Sequence, residues 1–343
     1  MGRPVVTEHG PATDCVYVTA GWGIHDDRWL AGLQAVGFSP RAISLGREAA
    51  DAVALRAAVE SAASGERPVL AGPLHSVTRT LVGIDAPLVG LSWGYDVDEL
   101  VGTDAGWLAD LDGLIVDSAA NRALAVGQGL SDERITFLPW GIDLDRFPAD
   151  GPTLAPSDLD LPDDAQLLVS LRAHEPIYRV GDIIDAFVAV AADQPQSALV
   201  VGHSGSLTES FRSTVRDAGL DARVRFIGTV PEGDLAPLLR AATAYVTASV
   251  ADGTSVTLLQ AMACGAPVVA SDTAGNLGWI NADDTGLLFP VGDVAALATC
   301  LAHACSDDLS EFTDRARDKV ERDGDWPANL PRLRRAMDDA AQA

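Results

Sequence analysis

The sequence is almost without lysine and has no long apolar run. Lys319 is the only lysine among 24 basic residues, which face 49 acidic ones, so the formal net charge is −25. A surface this acidic repels phosphate backbones and anionic lipids, so we expect no nucleic-acid partner and at most peripheral membrane contact. No apolar run reaches the roughly 18 residues of a membrane span. The start, MGRPVVTEHGPATD, lacks the apolar core of a secretory signal. We therefore expect a cytoplasmic protein.

Metal-binding and redox patterns are also missing. The four cysteines, Cys15, Cys264, Cys300 and Cys305, form no CxxC pair and have no histidine at zinc spacing. We expect no metal, no disulfide and no cofactor. The acidic, lysine-poor composition suits either a salt-loving source or a GC-rich genome, and the sequence leaves both alternatives open.

What the sequence does contain is an alternation of short apolar runs and amphipathic helical stretches, which predicts parallel sheets covered by helices on both faces. A stretch rich in Pro and Asp at about 148–162 has the composition of a linker. We predict an α/β protein with doubly wound domains at 1–148 and 149–310, and a helical tail at 311–343 that packs back on the first domain. The predicted strands are Cys15–Ala20, Ala42–Leu45, Pro68–Ala71, Pro87–Ser92, Gly113–Asp117, Gln166–Leu171, Ala198–Val201, Val224–Ile227, Ala244–Thr247, Pro267–Ala270 and Gly286–Phe289.

The segment from Asp252 to Gly265 is the strongest candidate for a ligand site. It follows a predicted strand and opens a helix, so Gly253, Thr254, Ser255 and Val256 present backbone N–H groups at a helix N-terminus, where phosphate binds. Asp252 is placed to accept hydrogen bonds from sugar hydroxyls. The alternative is that Ser255 or Thr254 simply caps a structural helix.

This segment, followed by Ala266–Asp272 and Thr285–Leu288, resembles the donor-binding region of glycosyltransferase family 4, which consists of retaining GT-B enzymes. That family has two glutamates eight positions apart. Asp252 stands for the first with a shorter side chain, and Gln260 stands for the second without its charge. Gln260 still offers one acceptor and two donors, so it remains compatible with binding a ribose.

The resemblance continues on both sides of this segment. Arg172 matches the family's diphosphate-binding arginine and Arg179 the usual lysine, although an ion pair of either with Glu175 is an alternative. Gly202 and Gly228, each after a predicted strand, resemble the loops around the nucleotide base. The segment Phe137–Phe147 resembles the family's interdomain hinge, for which we expect a packing role.

The N-terminal half, where the resemblance is thin, should bind the acceptor. Its candidate residues are Gly21, Trp22 and Gly23 after the first strand, and Trp93 and Asp96 after the fourth. Family members often have a histidine where Trp93 stands. Tryptophan offers a stacking face and one donor but no acid or base.

Three histidine and aspartate side chains near these loops have simpler explanations. We expect His75 to cap the helix that follows it, and His25 with Asp26 to form a capping turn rather than a catalytic base.

The resemblance implies two Rossmann-like domains facing each other across a cleft, and a retaining glycosyltransferase of hexosyltransferase type. The donor would be a nucleoside diphosphate sugar, and the acceptor a saccharide, a lipid-linked saccharide or a small metabolite. Arg172, Arg179 and Asp252 would serve catalysis without a metal. The alternative is a non-catalytic donor-binding subunit that assists another transferase. The sequence Gly21-Trp22-Gly23 lacks the third glycine of a dinucleotide fingerprint, which argues against a dehydrogenase.

Overall fold

A computed structural model describes residues 14–44, 51–63, 67–94, 96, 100, 102–282 and 284–343. Most of the N-terminal segment searched for a secretory signal, and Leu45 of the second predicted strand, lie outside these residues. The chain divides into two compact units, the first formed by residues up to Pro139 together with Pro327–Ala343, and the second by Trp140–Trp326.

Short strands and helices alternate along both units, as the sequence pattern predicts. The strands are β1 (Cys15–Thr19), β2 (Pro40–Ser44), β3 (Val69–Gly72), β4 (Leu88–Leu91), β5 (Gly113–Val116), β6 (Ile135–Phe137), β7 (Gln166–Ser170), β8 (Ser197–Gly202), β9 (Val224–Gly228), β10 (Ala242–Thr247), β11 (Val268–Ser271) and β12 (Leu287–Phe289). The α-helices are α1 (Ile24–Ala35), α2 (Ala52–Ala62), α3 (Arg79–Leu81), α4 (Ala119–Gly127), α5 (Val180–Val190), α6 (Thr208–Asp217), α7 (Glu232–Ala241), α8 (Val256–Ala263), α9 (Ala274–Leu277), α10 (Val294–Ser306), α11 (Ser310–Asp323) and α12 (Trp326–Ala340).

Each unit contains one six-stranded parallel sheet. The orders are β2-β1-β3-β4-β5-β6 and β12-β11-β10-β7-β8-β9. Both orders reverse direction once, beside β1 and beside β7, which is the signature of a doubly wound sheet. Buried aliphatic side chains cover both faces of the second sheet, so its strands are apolar runs without alternation. The predicted pair of Rossmann-like domains is confirmed.

The boundary between the units differs from the predicted one at 148/149. It lies at 139/140, because the stretch taken for a linker is packed onto the second unit. Leu161 is buried there, and the Arg240 side chain donates to the carbonyls of Pro148 and Pro152. A segment held by buried apolar area and by hydrogen bonds belongs to a domain, whatever its composition.

The predicted tail, 311–343, is also divided. Helix α11 lies with the second unit, where Val320 is buried in its core, whereas the chain from Pro327 lies with the first unit. In that unit the Arg334 guanidinium lies 4.5 Å from the centre of the Phe38 ring and donates to the carbonyl of Val36.

The hinge-like segment Phe137–Phe147 spans the boundary, and Gly141 has a specific role in it. Its φ of +51° and the Gly324 carbonyl, 2.5 Å from where a Cβ would lie, both require glycine. Ile142 donates to that same carbonyl, and Trp326 N donates back to Ile142. The two points where the chain passes between units are therefore tied together within the second unit.

Among the described residues, no helix is both long enough and apolar enough to span a bilayer.

Candidate donor and acceptor sites

The second sheet reverses its order where β7 and β10 lie side by side, and the loops after these two strands carry the main candidate residues. Arg172 comes two residues after β7, and Asp252 lies in the loop between β10 and α8. Ligands of doubly wound sheets bind beyond the carboxyl ends of strands at such a reversal. The fold thus brings together residues that are 80 positions apart in the sequence.

Arg172 is the centre of this arrangement. Its Nη2 donates to Asp252 Oδ2 at 2.6 Å, and its Nη1 donates to Ser255 Oγ at 3.1 Å. The guanidinium lies 4.2 Å from the centre of the Tyr178 ring, a cation–π contact. Burial by itself would lower the pKa of Arg172, but the Asp252 carboxylate, together with Tyr245 and Tyr178, raises that pKa above its usual value. Arg172 is therefore a fixed, permanent cation at the sheet edge.

The N-terminus of α8 is not capped by its own N-cap residue. Ser255 occupies the N-cap position and is buried, but its side chain makes no capping hydrogen bond and accepts from Arg172 instead. The alternative that Ser255 caps a structural helix is therefore wrong. Thr254 and Gly253 precede it in the loop, and the half-buried Val256 is the first helical residue. A helix N-terminus beside a buried arginine suits a phosphate group, because the amide hydrogens and the helix dipole both attract anions.

The backbone of Asp252 and Gly253 is braced from the neighbouring strand. Gly275, in α9 after β11, approaches so closely that a Cβ would lie 2.0 Å from the Gly253 carbonyl oxygen and 2.5 Å from that of Asp252. Only a residue without a side chain allows this approach. The loop that carries Asp252 is thus positioned by its contact with Gly275 of α9.

Arg179 lies at the N-cap of α5 in the left-handed conformation, with φ of +45°. Its Nε donates to Asp182 Oδ2 at 2.5 Å. Non-glycine residues in this region are uncommon and concentrate at functional sites. Glu175 pairs with neither arginine: its two oxygens accept from the backbone N–H and the hydroxyl of Ser206. The alternative of an arginine ion pair with Glu175 is therefore wrong.

His174 is a feature of this site that the sequence did not reveal. It is fully buried, with Nε2 3.0 Å from the Gly202 carbonyl and Nδ1 2.8 Å from Thr208 Oγ1. Burial lowers its pKa, so the ring is neutral, with the proton on Nε2 facing the carbonyl. His174 therefore links the loop after β7 to the loop after β8.

The two predicted glycine loops meet each other directly. The backbone N–H of His203, which follows Gly202, donates to the Gly228 carbonyl at 2.6 Å. Gly202 has no room for a side chain, since a Cβ would lie 2.5 Å from Leu171 Cδ2, and Gly228 has a φ of +67°. Glycine is thus favoured at 228 by the backbone conformation and at 202 by the packing of Leu171. Gln260, the last candidate of this group, is half-buried on α8, one turn beyond Val256.

In the first unit the loop after β1 is held by aspartates. Asp26 Oδ2 accepts from the backbone N–H of Gly23, and its Oδ1 accepts from the Tyr17 hydroxyl, so Asp26 forms the expected capping turn of α1. Trp22 Nε1 donates to Asp27 Oδ1 at 2.8 Å, while 46% of Trp22 is exposed. The carbonyl of Gly21, two residues after the end of β1, accepts from Thr19 Oγ1. The loop presents an aromatic surface on a fixed backbone.

Asp96 and Trp93 follow β4, beside the loop that follows β3. Asp96 is buried and accepts from the backbone N–H groups of Leu74 and Trp93 and from Ser92 Oγ. It therefore holds the two loops together. Burial raises its pKa to about 6 despite these hydrogen bonds. Asp96 thus accepts from the first residue of the turn Leu74–Thr78. His75 lies within this turn, is exposed and does not cap it.

Trp93 itself lies over a glycine. A Cβ on Gly72 would approach Trp93 Nε1 to 2.7 Å, so Gly72 makes room for the indole. The ring meets His25 edge-on, with centroids 6.0 Å apart. Burial and the Arg28 cation lower the pKa of His25. Trp93, His25 and Trp22 thus give the carboxyl edge of the first sheet an aromatic character.

Comparison with known proteins matches the second unit to a family. The family described as Glycosyl transferases group 1 matches residues 165–307, less than half of the chain but nearly all of the second sheet and its helices. The chain is similar to D-inositol 3-phosphate glycosyltransferase 2 of Catenulispora acidiphila, with 29% identity over 211 residues, which cover 58% of this chain and 49% of that relative. The chain spans about half the length of the curated relatives it matches.

Solved structures extend the likeness to the whole fold. Anabaena Alr3699/HepE in complex with UDP and glucose has a TM-score of 0.75 at 14% identity, covering 95% of this chain and 100% of that one. Sucrose-phosphate synthase from Thermosynechococcus elongatus has a TM-score of 0.76 at 18% identity, with coverage of 94% and 98%. The fold is therefore that of the GT-B glycosyltransferases.

Proposed function

We propose that the protein is a retaining glycosyltransferase of family 4, which transfers a sugar from a nucleoside diphosphate sugar to an acceptor hydroxyl. The observation that carries the proposal is the buried Arg172, held beside the N-terminus of α8 by Asp252 and Ser255. The group 1 match over the same unit and the UDP complexes of structural neighbours support a nucleotide-sugar donor.

The reaction leaves a nucleoside diphosphate, and the site suits the stabilisation of that leaving group. Arg172, Arg179 and the first amides of α8, at Val256 and beyond, would offset the charge that develops on the departing phosphate. Because these groups already supply positive potential, we propose that no metal ion is needed. Full activity in the presence of a chelator would agree, and activity restored only by a divalent cation would refute this part.

The remaining residues divide between nucleotide, sugar and acceptor. We assign Gly202 and Gly228 to the nucleotide, because their loops are joined at the carboxyl edge and carry strained or crowded backbone. Gln260 would bind the ribose, and Gly253 and Thr254 would line the diphosphate. On the first unit, Gly21, Trp22, Gly23 and Trp93 would contact the acceptor, with Asp96 acting through Trp93 and the backbone it holds.

The acceptor is proposed only as a class. The curated relatives are named for D-inositol 3-phosphate, a small polyol phosphate. The exposed Trp22 and the half-buried Trp93 suit the apolar face of a sugar ring. We therefore propose a saccharide, free or lipid-linked, or a small polyol metabolite.

The test is a screen of purified protein against a panel of nucleoside diphosphate sugars, with release of the nucleoside diphosphate as the signal. Release with any donor, and the same anomeric configuration in donor and product by NMR, would support the proposal. Inversion of configuration would refute a retaining mechanism. Binding of a donor without transfer or hydrolysis across an acceptor panel would support the non-catalytic donor-binding subunit instead.

A further inference from the structure

The carboxylate of Asp252 is occupied by Arg172, the same cation that the donor diphosphate needs. We propose that Asp252 is a positioning residue that competes with the nucleoside diphosphate for Arg172, and so limits the affinity for that product and hastens its release. This inference rests on the proposed function, because it concerns the same site.

Geometry makes the competition direct. Asp252 Oδ2 lies 2.6 Å from Arg172 Nη2, and the two side chains keep only 16% and 12% of their exposed area. Charge pairs with little solvent around them interact strongly, because water screens them poorly. Asp252 also lies three residues before the N-cap of α8, so its charge opposes an anion at that N-terminus as well.

Arg172 does not depend on Asp252 alone for its position. Ser255 Oγ accepts from Nη1, and the Tyr178 ring lies against the guanidinium at 4.2 Å. If the Asp252 charge is removed, these two contacts still hold the side chain. Removing the Asp252 charge therefore changes the competition for Arg172 more than it changes the position of the guanidinium.

The short side chain of aspartate explains why the pair forms. Gly275 braces the backbone of Asp252 and Gly253, so the carboxylate can reach only as far as one methylene allows. From that position it lies on Arg172. A residue that contacts chiefly the transferred sugar would change the affinity only for sugar-bearing ligands. A competitor for Arg172 changes the affinity for the nucleoside diphosphate itself.

The test compares the affinity of wild type and Asp252→Asn for UDP, GDP, ADP and dTDP by calorimetry. Asparagine keeps the shape of the side chain and removes its charge. For whichever nucleotide binds wild type, we expect about tenfold tighter binding by the variant, the scale of one lost opposing charge in a partly buried site. Product inhibition by that nucleotide should strengthen by the same factor.

Two controls isolate the cause. Asp193→Asn removes one exposed charge from the same unit, beyond the C-terminal end of α5, and should leave the affinity unchanged. In an Arg172→Ala background, Asp252→Asn should tighten binding by a smaller factor than in wild type, since the contested cation is gone and only the repulsion at the N-terminus of α8 remains.

Each outcome decides between the proposals. Unchanged or weaker nucleotide binding by Asp252→Asn, in a protein with a normal cooperative melt, would overturn the competition. If Asp252→Asn misfolds, Asp252→Glu is tested instead. This variant must also change the affinity for the sugar-free nucleotide, and an affinity equal to that of wild type would overturn the inference. A wild-type protein that binds none of the four nucleotides would refute the proposed function itself.

Discussion

Replacing Gly275 with alanine tests whether the loop of Asp252 must be held where it is. The added Cβ would lie 2.0 Å from the Gly253 carbonyl oxygen and 2.5 Å from that of Asp252. Carbon and carbonyl oxygen approach to about 3.3 Å at closest, so the loop must retreat by about 1 Å. Both contacts are to backbone, so rotating a side chain cannot relieve them.

A shift of this size acts on activity more than on stability. Overpacking a single methyl group destabilises a protein by about 1–3 kcal/mol, which a folded domain usually survives. Displacing a catalytic group by about 1 Å can lower turnover about 100-fold. We therefore expect Gly275→Ala to fold and to lose about 100-fold in kcat/KM for the donor, measured by release of the nucleoside diphosphate.

Gly233→Ala is the matched control. Gly233 lies in the first turn of α7, where a Cβ would meet nothing within 4 Å, so the change should stabilise the helix slightly and leave turnover unchanged. Wild-type kcat/KM in Gly275→Ala would refute the role given to this contact. Equal losses in both variants would show that the effect is not specific to the loop.

Four further variants test two site residues and one buried acid. Arg172→Ala should lower turnover about 100-fold, and Arg172→Lys less, because lysine keeps the charge but not the two-pronged donor geometry; near-normal turnover of Arg172→Ala would contradict its role. Gln260→Ala should raise the donor KM about tenfold with little change in kcat, as for a lost ribose hydrogen bond, and a fall in kcat alone would oppose this assignment. Burial raises the pKa of Asp96 from 3.8 to about 6, so the folded state binds its proton more tightly than the unfolded chain. The free energy of unfolding of wild type should therefore decrease as the pH rises from about 4 to about 6, by up to about 3 kcal/mol. Asp96→Asn should remove that slope in thermal melts, and an unchanged slope would contradict it.

The strands could be predicted well from the sequence, because each strand of a parallel sheet that is buried on both faces is a short apolar run. Most predicted strands agree with the structure to within one or two residues, and β6 (Ile135–Phe137) is a strand that the prediction omitted. Its three residues, one of them exposed, make too short a run to recognise. The domain boundary was misplaced because composition does not show that Leu161 is buried or that Arg240 holds the preceding segment.

At the proposed donor site, the candidate residues could be predicted from the sequence but their partners could not. A helix N-terminus with Asp252 before it and Arg172 elsewhere can be recognised by motif, but the ion pair between them joins positions 80 apart. The role of His174 was missed for the same reason, since Gly202 and Thr208, its two partners, lie at the two ends of another loop. No local pattern predicts such pairs. Asp96 was placed at the acceptor, whereas its carboxylate is used to join two loops.

The most direct test of the account is to compare nucleoside diphosphate with nucleoside monophosphate binding in wild type and Arg172→Ala. If the site beside α8 binds a diphosphate through Arg172, wild type should bind the diphosphate at least about tenfold more tightly than the monophosphate, on the scale of one charge-assisted contact. Arg172→Ala should lose most of that difference while keeping its affinity for the monophosphate. Equal binding of both nucleotides by wild type, or an undiminished preference in the variant, would contradict the account.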